Sequence, residues 1–339
     1  MLISTLINSK LFEGKKILIT GGTGSLGTAL TKKLLETKVD TIRIFSRDEL
    51  KQIKMQDQLK NEKLRFLIGD VRDKERLTRA MEDIDIVFHT AALKHVPVAE
   101  YNPFEAIKTN VLGTQNVIES SLDNNVELVL AIGTDKAVSP LNTYGATKLL
   151  MERMVTSANF YKGKHKTKFL CVRYGNVLGS RGSVLPKFLE QIKNNQGLTI
   201  TDPKMTRFNI TMNQAIELIL RAVKLGKGGE IFVPKLKAYT VGDLKDAVIE
   251  LKNYKMKIQK IPIRLGEKSH EILINQDEIP YTYESKDDYI IMVAGIENSS
   301  SKKNKNIKKV NFSESYSSDK ATLLSKNEIK QIILNEKFL

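Results

Sequence analysis

Residues 16–27 read Lys-Ile-Leu-Ile-Thr-Gly-Gly-Thr-Gly-Ser-Leu-Gly. An apolar run of strand length ends at Thr20 and breaks into a turn in which Gly21, Gly24 and Gly27 recur at every third position. A helical stretch from Leu26 to Leu35 follows. Glycines let such a turn bend sharply and approach a pyrophosphate, whose charge the N-terminus of the next helix stabilises. The spacing is wider than the tighter dinucleotide fingerprint, so three glycines alone are a weak signal. The rhythm downstream gives them weight. Thr41–Phe45, Leu64–Ile68, Asp85–Phe88, Val126–Ile132 and Lys168–Arg173 read as further strands. Helical patterns at Met55–Lys60, Lys74–Met81, Glu105–Leu122 and Lys148–Phe160 separate them. Alternation of this kind predicts an α/β fold, a doubly wound parallel sheet with ligands at the carboxyl ends of its strands.

The second strand runs into Ser46-Arg47-Asp48, where a ribose-reading acid normally sits. Ser46 and Arg47 come first, and a guanidinium there suits a 2′-phosphate, so NADP is favoured over NAD, with Asp48 as the dissenting residue. Asp70-Val71, after the third strand, has the position of an adenine contact; the alternative for Asp70 is a cap on Lys74–Met81.

The reacting groups stand further on, in Gly133-Thr134-Asp135-Lys136 and Tyr144-Gly-Ala-Thr-Lys148. Tyr144 as phenolate takes the proton of a sugar hydroxyl as hydride leaves the same carbon. Lys148, one helical turn on, is expected to lower the phenol pKa, and Thr134 to hydrogen-bond the same hydroxyl. Asp135-Lys136 is superfluous for simple hydride transfer. It adds an acid and a base, which points to elimination of water as well.

Composition bounds the rest. The 339 residues, 41% hydrophobic, suffice for a large domain with a smaller lobe. Cys171 is the single cysteine, so no internal disulfide forms, in keeping with a reducing cytoplasm. No apolar run reaches the ~18 residues of a membrane span, and the leader Met1–Glu13 lacks a signal-peptide pattern. The net charge of +15 is spread over dispersed lysines with few aromatics, so it is read as a basic surface for anionic small molecules and not for nucleic acid. Its one dense cluster, Lys302, Lys303, Lys305, Lys308 and Lys309, reads as an exposed loop. His89, His95, His165 and His270 have no metal-ligand spacing, and no metal is expected; His95 is read as structural.

Nearly the whole chain to about Glu284 resembles the inverting UDP-N-acetylglucosamine 4,6-dehydratases (C5-epimerising) of the extended short-chain dehydrogenase/reductase superfamily, on the pseudaminic acid branch. The motifs are Ser46–Gln52, Ile68–Asp73, Ala91–Pro97, Thr134–Ala137, Arg173–Val177, Gly179–Val184, Met205–Phe208 and Arg264–Lys268. The resemblance implies a Rossmann domain over 1–175 and a mainly substrate-binding lobe over 176–295, with some segments returning to the first domain. A basic loop and a closing helix, Ser325–Leu334, occupy 296–339. It adds Thr23, Ser25, Leu26, Lys51, Thr90 and Lys94 to the cofactor residues, alongside Tyr144 and Lys148. It assigns Lys94, Asn176, Val177, Arg181, Arg207, Arg264 and Glu267 to a UDP-N-acetylglucosamine cleft, the arginines for the diphosphate and Glu267 for ribose hydroxyls.

The implied product is UDP-2-acetamido-2,6-dideoxy-β-L-arabino-hex-4-ulose, made by a cytoplasmic homo-oligomer, a hexamer by resemblance. In this scheme a neutral Lys136, in a desolvated cationic pocket, removes the C5 proton and Asp135 protonates O6, with the reverse assignment left open. Departures from the family pattern are Gly133, where Ser is usual, and Leu265, where Pro is usual. A nucleotide-sugar 4-epimerase is the alternative, but it has no role for Asp135-Lys136; a retaining dehydratase is a second.

Overall fold

Ile17, Leu18 and Ile19 are fully buried, as a strand must be when helices cover both faces of its sheet. In a computed structural model, which describes residues 10–180, 182–255, 257–264, 266–292 and 307–339, that strand is β1, Lys16–Thr20. Arg181, Leu265, Lys302, Lys303 and Lys305 lie outside the described residues. With β2 (Thr41–Ser46), β3 (Leu64–Ile68), β4 (Ile86–His89), β5 (Leu128–Ile132) and β6 (Lys168–Val172) it forms a parallel sheet ordered β3-β2-β1-β4-β5-β6. Ile19 pairs with Ile44 of β2 and Phe88 of β4. The strand order reverses between β1 and β4, and the crevice of a doubly wound sheet opens there. Glu230–Pro234 joins parallel beside β6. Asp288–Met292, Thr282–Glu284 and Lys308–Lys309 then extend the same sheet antiparallel.

Alternate residues of β1 feed two cores. Ile17 and Ile19 join Leu30 and Leu34 of the helix Ser25–Leu35 and Ile216 and Leu220 of the helix Met212–Leu225. Leu18 joins Leu77, Val117 and Met151 from the helices Lys74–Ala80, Gly113–Asp123 and Thr143–Tyr161. A third core, including Phe188, Leu244 and Ile329, unites the helices Val184–Lys193, Val241–Lys252 and Lys326–Asn335 into a smaller lobe.

Three helices depart from the sequence reading. The one expected at Met55–Lys60 begins at Glu49, because the Asp48 carboxylate accepts from the Lys51 amide at 3.0 Å and caps it. The one expected from Lys148 begins at Thr143, capped by Asn142 on the Gly145 amide at 2.8 Å. That of Glu105–Leu122 is interrupted by a π turn, Lys108–Leu112. This wider turn carries the buried Asn110, whose side chain bonds Leu93 N at 2.8 Å, Leu93 O at 3.0 Å and Thr147 Oγ1 at 3.0 Å, tying the segment after β4 to the helix Thr143–Tyr161. Lys308 and Lys309, expected in a loop, form a short edge strand, with Lys308 paired to Glu284 at 3.1 Å. Charged lysines suit an edge that must stay unpaired.

At the carboxyl end of β6 stands Arg173, 1% exposed. Its guanidinium donates to Glu152 at 2.7 Å, to both oxygens of Glu278 at 2.9 Å and to the Leu273 carbonyl at 2.9 Å. Removing one partner of such a buried cluster leaves uncompensated charge. Arg173→Met is therefore expected to lower the unfolding free energy by about 3–5 kcal/mol, checked by denaturant titration.

Candidate active site

The glycine turn, the end of β5 and the loops of the smaller lobe enclose one cleft of about 1380 Å³. Its floor at the sheet is the turn itself. Gly21 has φ +64°, and a Cβ there would lie 2.8 Å from the Ala91 backbone; a Cβ on Gly27 would lie 2.6 Å from Gly22. Both contacts require glycine. The helix Ser25–Leu35 starts at Gly24 with no side-chain cap, and its N-terminal residues line the cleft, where the end of a helix favours an anion. Thr23, Gly24, Ser25, Leu26 and Gly27 line the cleft, as do Lys51, Thr90 and Lys94. The Thr90 hydroxyl donates to the Thr20 carbonyl at 2.7 Å. A helix N-terminus over a close-packed glycine turn fits a dinucleotide pyrophosphate.

The neighbouring nucleotide residues are placed differently from one another. Ser46 is buried, its hydroxyl accepting from Thr23 Oγ1 at 3.2 Å and from Gln52 at 3.1 Å. Asp48, the dissenting acid, is occupied as a helix cap and by the Lys51 ammonium. Arg47 is exposed beside Asp70, 3.6 Å away. Asp70 does not cap the next helix; Asp73 does, on the Arg76 amide at 3.0 Å. The Asp70 carboxylate is instead held by Arg72 at 2.8 Å, and Val71 is buried against Gly113.

Beyond the end of β5, Asp135 is 1% exposed. Its Oδ1 accepts from Thr134 Oγ1 at 2.9 Å and Lys136 Nζ at 3.1 Å, while Oδ2 is buried with no hydrogen-bond partner among the described residues. The Lys136 ammonium also donates to Asn176 Oδ1 at 3.1 Å and lies 3.4 Å from Glu271 Oε1. Burial raises the Asp135 carboxyl above the usual range despite the attraction of Lys136. Burial works against the Lys136 ammonium too, but Asp135 and Glu271 together outweigh it and hold its pKa above that of ordinary lysine. The pocket around Lys136 is thus anionic. A neutral Lys136 is not its resting form, contrary to the expectation of a cationic pocket.

Burial pushes the Tyr144 phenol up to about 12, against Lys136 and a hydrogen bond with Thr134. The cation that draws Tyr144 down is Lys136, where the sequence reading had Lys148. Lys148, 4% exposed, donates to Met151 Sδ at 2.9 Å, and burial lowers it to about 8 against the charge of Glu152. Gly133 accommodates that carboxylate: a Cβ there would lie 2.2 Å from Glu152 Oε1.

At the far end, Val177, Arg207, Arg264 and Glu267 line the cleft. Arg207 is buried, bonded to the Thr206 carbonyl at 2.8 Å and 3.4 Å from Glu267 Oε1. Glu267 is therefore tied to an arginine, and it also takes the Arg264 amide at 3.4 Å. Lys187, which the sequence reading missed, also lines the cleft; burial and then Arg264 hold its pKa down, so it joins Arg207 and Arg264 as a third cation at this end. Glu271 was missed as well. Its nearest signal was its place three residues after the matched Arg264–Lys268. His95 packs on Gly182 at the rim, and buried His89 bonds Thr20 and Thr114, pushed by burial to about 3. Among the described residues no His, Cys, Asp or Glu cluster could hold a metal, and no helix is long and apolar enough to cross a membrane.

Residues 17–293 match the family model described as polysaccharide biosynthesis protein. The chain is 49% identical, over 83% of its length and 84% of the relative's, to a Campylobacter jejuni protein named UDP-N-acetylglucosamine 4,6-dehydratase (inverting). It is 42% identical, over 96% of its length and 97% of the relative's, to a Rickettsia bellii protein named UDP-glucose 4-epimerase. The X-ray structure of Pen from Bacillus thuringiensis superposes with a TM-score of 0.91 at 43% identity, covering 97% of this chain and 99% of that one.

The buried Lys148 carries a testable cost. Its folded pKa, about 8, lies below the 10.5 of a free lysine. Between those values the unfolded chain binds more protons, so this group's contribution to stability rises with pH across that window. Lys148→Met is expected to be more stable than the parent at pH 7 by about 1–3 kcal/mol, an advantage that shrinks as pH rises from 8 towards 10.5. Unfolding curves of both proteins across that range check it.

Proposed function

The chain belongs to the polysaccharide biosynthesis protein family, and from that premise we propose that it is an NADP-dependent hydro-lyase, the inverting 4,6-dehydratase of UDP-N-acetylglucosamine. The observation that carries this reading is the pair of buried Asp135 and partly buried Lys136 beside Tyr144, in the cleft that begins at the glycine turn. The glycine turn with Lys51, Thr90 and Lys94 would hold a nicotinamide dinucleotide, which would supply acceptance of a hydride from C4 of the sugar and its return at C6. Tyr144 in its phenolate form takes the proton of the 4-hydroxyl, with Thr134 as its hydrogen-bond partner. The C4 ketone acidifies the C5 proton.

Lys136, charged at rest, first gives a proton to Asp135, whose burial favours the acid form. The resulting amine removes the C5 proton, and the Asp135 acid protonates the departing 6-hydroxyl, so one water leaves. A solvent proton added to C5 on the face opposite Lys136 inverts that centre. The cations Arg207, Arg264 and Lys187 serve the diphosphate. Exposed Arg47 supports NADP over NAD, since the acid that would read a free ribose, Asp48, is engaged elsewhere. Exposed apolar side chains on helices, among them Leu112, Leu150, Phe160 and Tyr161, support a homo-oligomer. The product suits pseudaminic acid or a related glycan sugar. The name of the Rickettsia relative favours a second reading, a 4-epimerase.

The decisive experiment is incubation with UDP-N-acetylglucosamine and NADP+ in D2O. The dehydratase is expected to yield a product lighter by one water, with deuterium at an inverted C5. An epimerase leaves the mass unchanged and C5 undeuterated; loss of water with C5 retained overturns the inversion. For the cofactor, Arg47→Ala is expected to weaken NADP+ binding about tenfold and leave NAD+ binding unchanged, measured by calorimetry.

A further inference from the structure

Glu271 is the one carboxylate beside Lys136 for which the scheme above has no step. Its backbone is clamped on both sides: Glu271 N donates to Ser318 Oγ at 2.9 Å, and Ser318 N donates to Glu271 O at 2.8 Å. Ser318 Oγ is itself 2.6 Å from Thr206 Oγ1. The side chain, 3% exposed, places Oε1 3.4 Å from Lys136 Nζ and 3.8 Å from Arg207 Nε. Its Oε2 is buried with no hydrogen-bond partner among the described residues, although the residue lines the cleft. An ion pair kept for stability alone satisfies both oxygens, because an unpaired buried acceptor costs about 1–3 kcal/mol. Asp135 Oδ2, across the same ammonium, has the same defect. An ammonium has three protons; Lys136 donates to Asp135 Oδ1 and Asn176 Oδ1, and Glu271 Oε1 stands at ion-pair distance for the third.

We propose that Glu271 is a positioning residue of the reaction centre, which holds the Lys136 ammonium against Asp135 and Asn176 and so governs when, and from which side of the sugar, that group moves its proton. The proposal rests on the dehydratase reading. Besides Glu271, the titratable and charged groups that act on Lys136 are Asp135, Arg207 and Tyr144, with Lys268 and Tyr239 in the same field. Glu271 raises both members of the Asp135–Lys136 pair. Neutralising it therefore shifts both titrations to lower pH and leaves Lys136 with one anchor fewer.

The test compares the parent with Glu271→Gln, which keeps the shape, and Glu271→Asp, which keeps the charge. With UDP-N-acetylglucosamine, Glu271→Gln is expected to lose water-eliminating turnover at least about tenfold, with formation of reduced nicotinamide retained, and to give a mixture of C5 configurations. The limb of its pH profile set by the pair should move to lower pH, and Glu271→Asp should recover part of the rate. NMR titration of the Lys136 side chain in the cofactor-free protein should show a downward shift in Glu271→Gln. A Glu271→Gln protein with the parent's turnover, C5 configuration and pH profile overturns the proposal. Should the parent itself eliminate no water, the dehydratase reading fails; the lysine titration needs no turnover, and an unshifted Lys136 then removes the clamp as well.

Discussion

Everything at the reaction centre hangs on the guanidinium of Arg173. It sits at the carboxyl end of β6 and spans two carboxylates, Glu152 on the helix that carries Tyr144 and Lys148, and Glu278 on the segment that follows Glu271. Burial opposes all these charges, yet Glu152 and Glu278 hold Arg173 above its ordinary value, and Arg173 holds Glu278 below the usual carboxylate range. The hydrogen bonds in this cluster run in fixed directions, so the helix and the segment cannot slide independently. The phenol, the two lysines and the buried acids thereby keep their spacing although they come from three parts of the chain.

The same burial that fixes the geometry sets the protonation states. Tyr144 is pushed towards the phenol and Lys148 towards the amine, each away from the form that proton abstraction requires. Lys136 alone is stabilised as a cation, because two carboxylates share it. The protein keeps these groups in an environment less comfortable than water, which is the usual relation between a reactive site and the stability of its fold.

The sheet was legible in the sequence because buried parallel strands read as short apolar runs, and six of them recur between glycine and helical signals. The glycine turn was legible for the same reason: its meaning depends on what immediately precedes and follows it. The proton-handling residues Thr134, Asp135, Lys136, Tyr144 and Lys148 lie within fifteen positions, so local spacing sufficed to single them out. What escaped was whatever depends on distant partners. Glu271 gains its significance from Lys136 and Ser318, Lys187 from Arg264, and Asn110 from a π turn that interrupts an otherwise ordinary helical pattern. Asp48 and Asp70 show the converse. Their positions point to nucleotide roles, and each carboxylate also holds a backbone amide and a neighbouring cation, which local sequence did not announce. The charge of Lys136 was misjudged because sequence proximity revealed one flanking acid and concealed the other.

The pairing of Ser318 with Glu271 has a temporal side. Ribosomal synthesis runs from the amino end, so β1 and its glycine turn are available to fold while more than half of the protein is still unmade. The strand Tyr316–Ser317 and Ser318, which lock Glu271 into place, are made after Glu271 and after all the proton-handling residues. A nascent chain therefore has its proton-handling residues synthesised well before the strand that fixes Glu271 among them. For as long as a polypeptide is tethered to the ribosome short of this strand, its lysine lacks the backbone-fixed acid of the finished molecule.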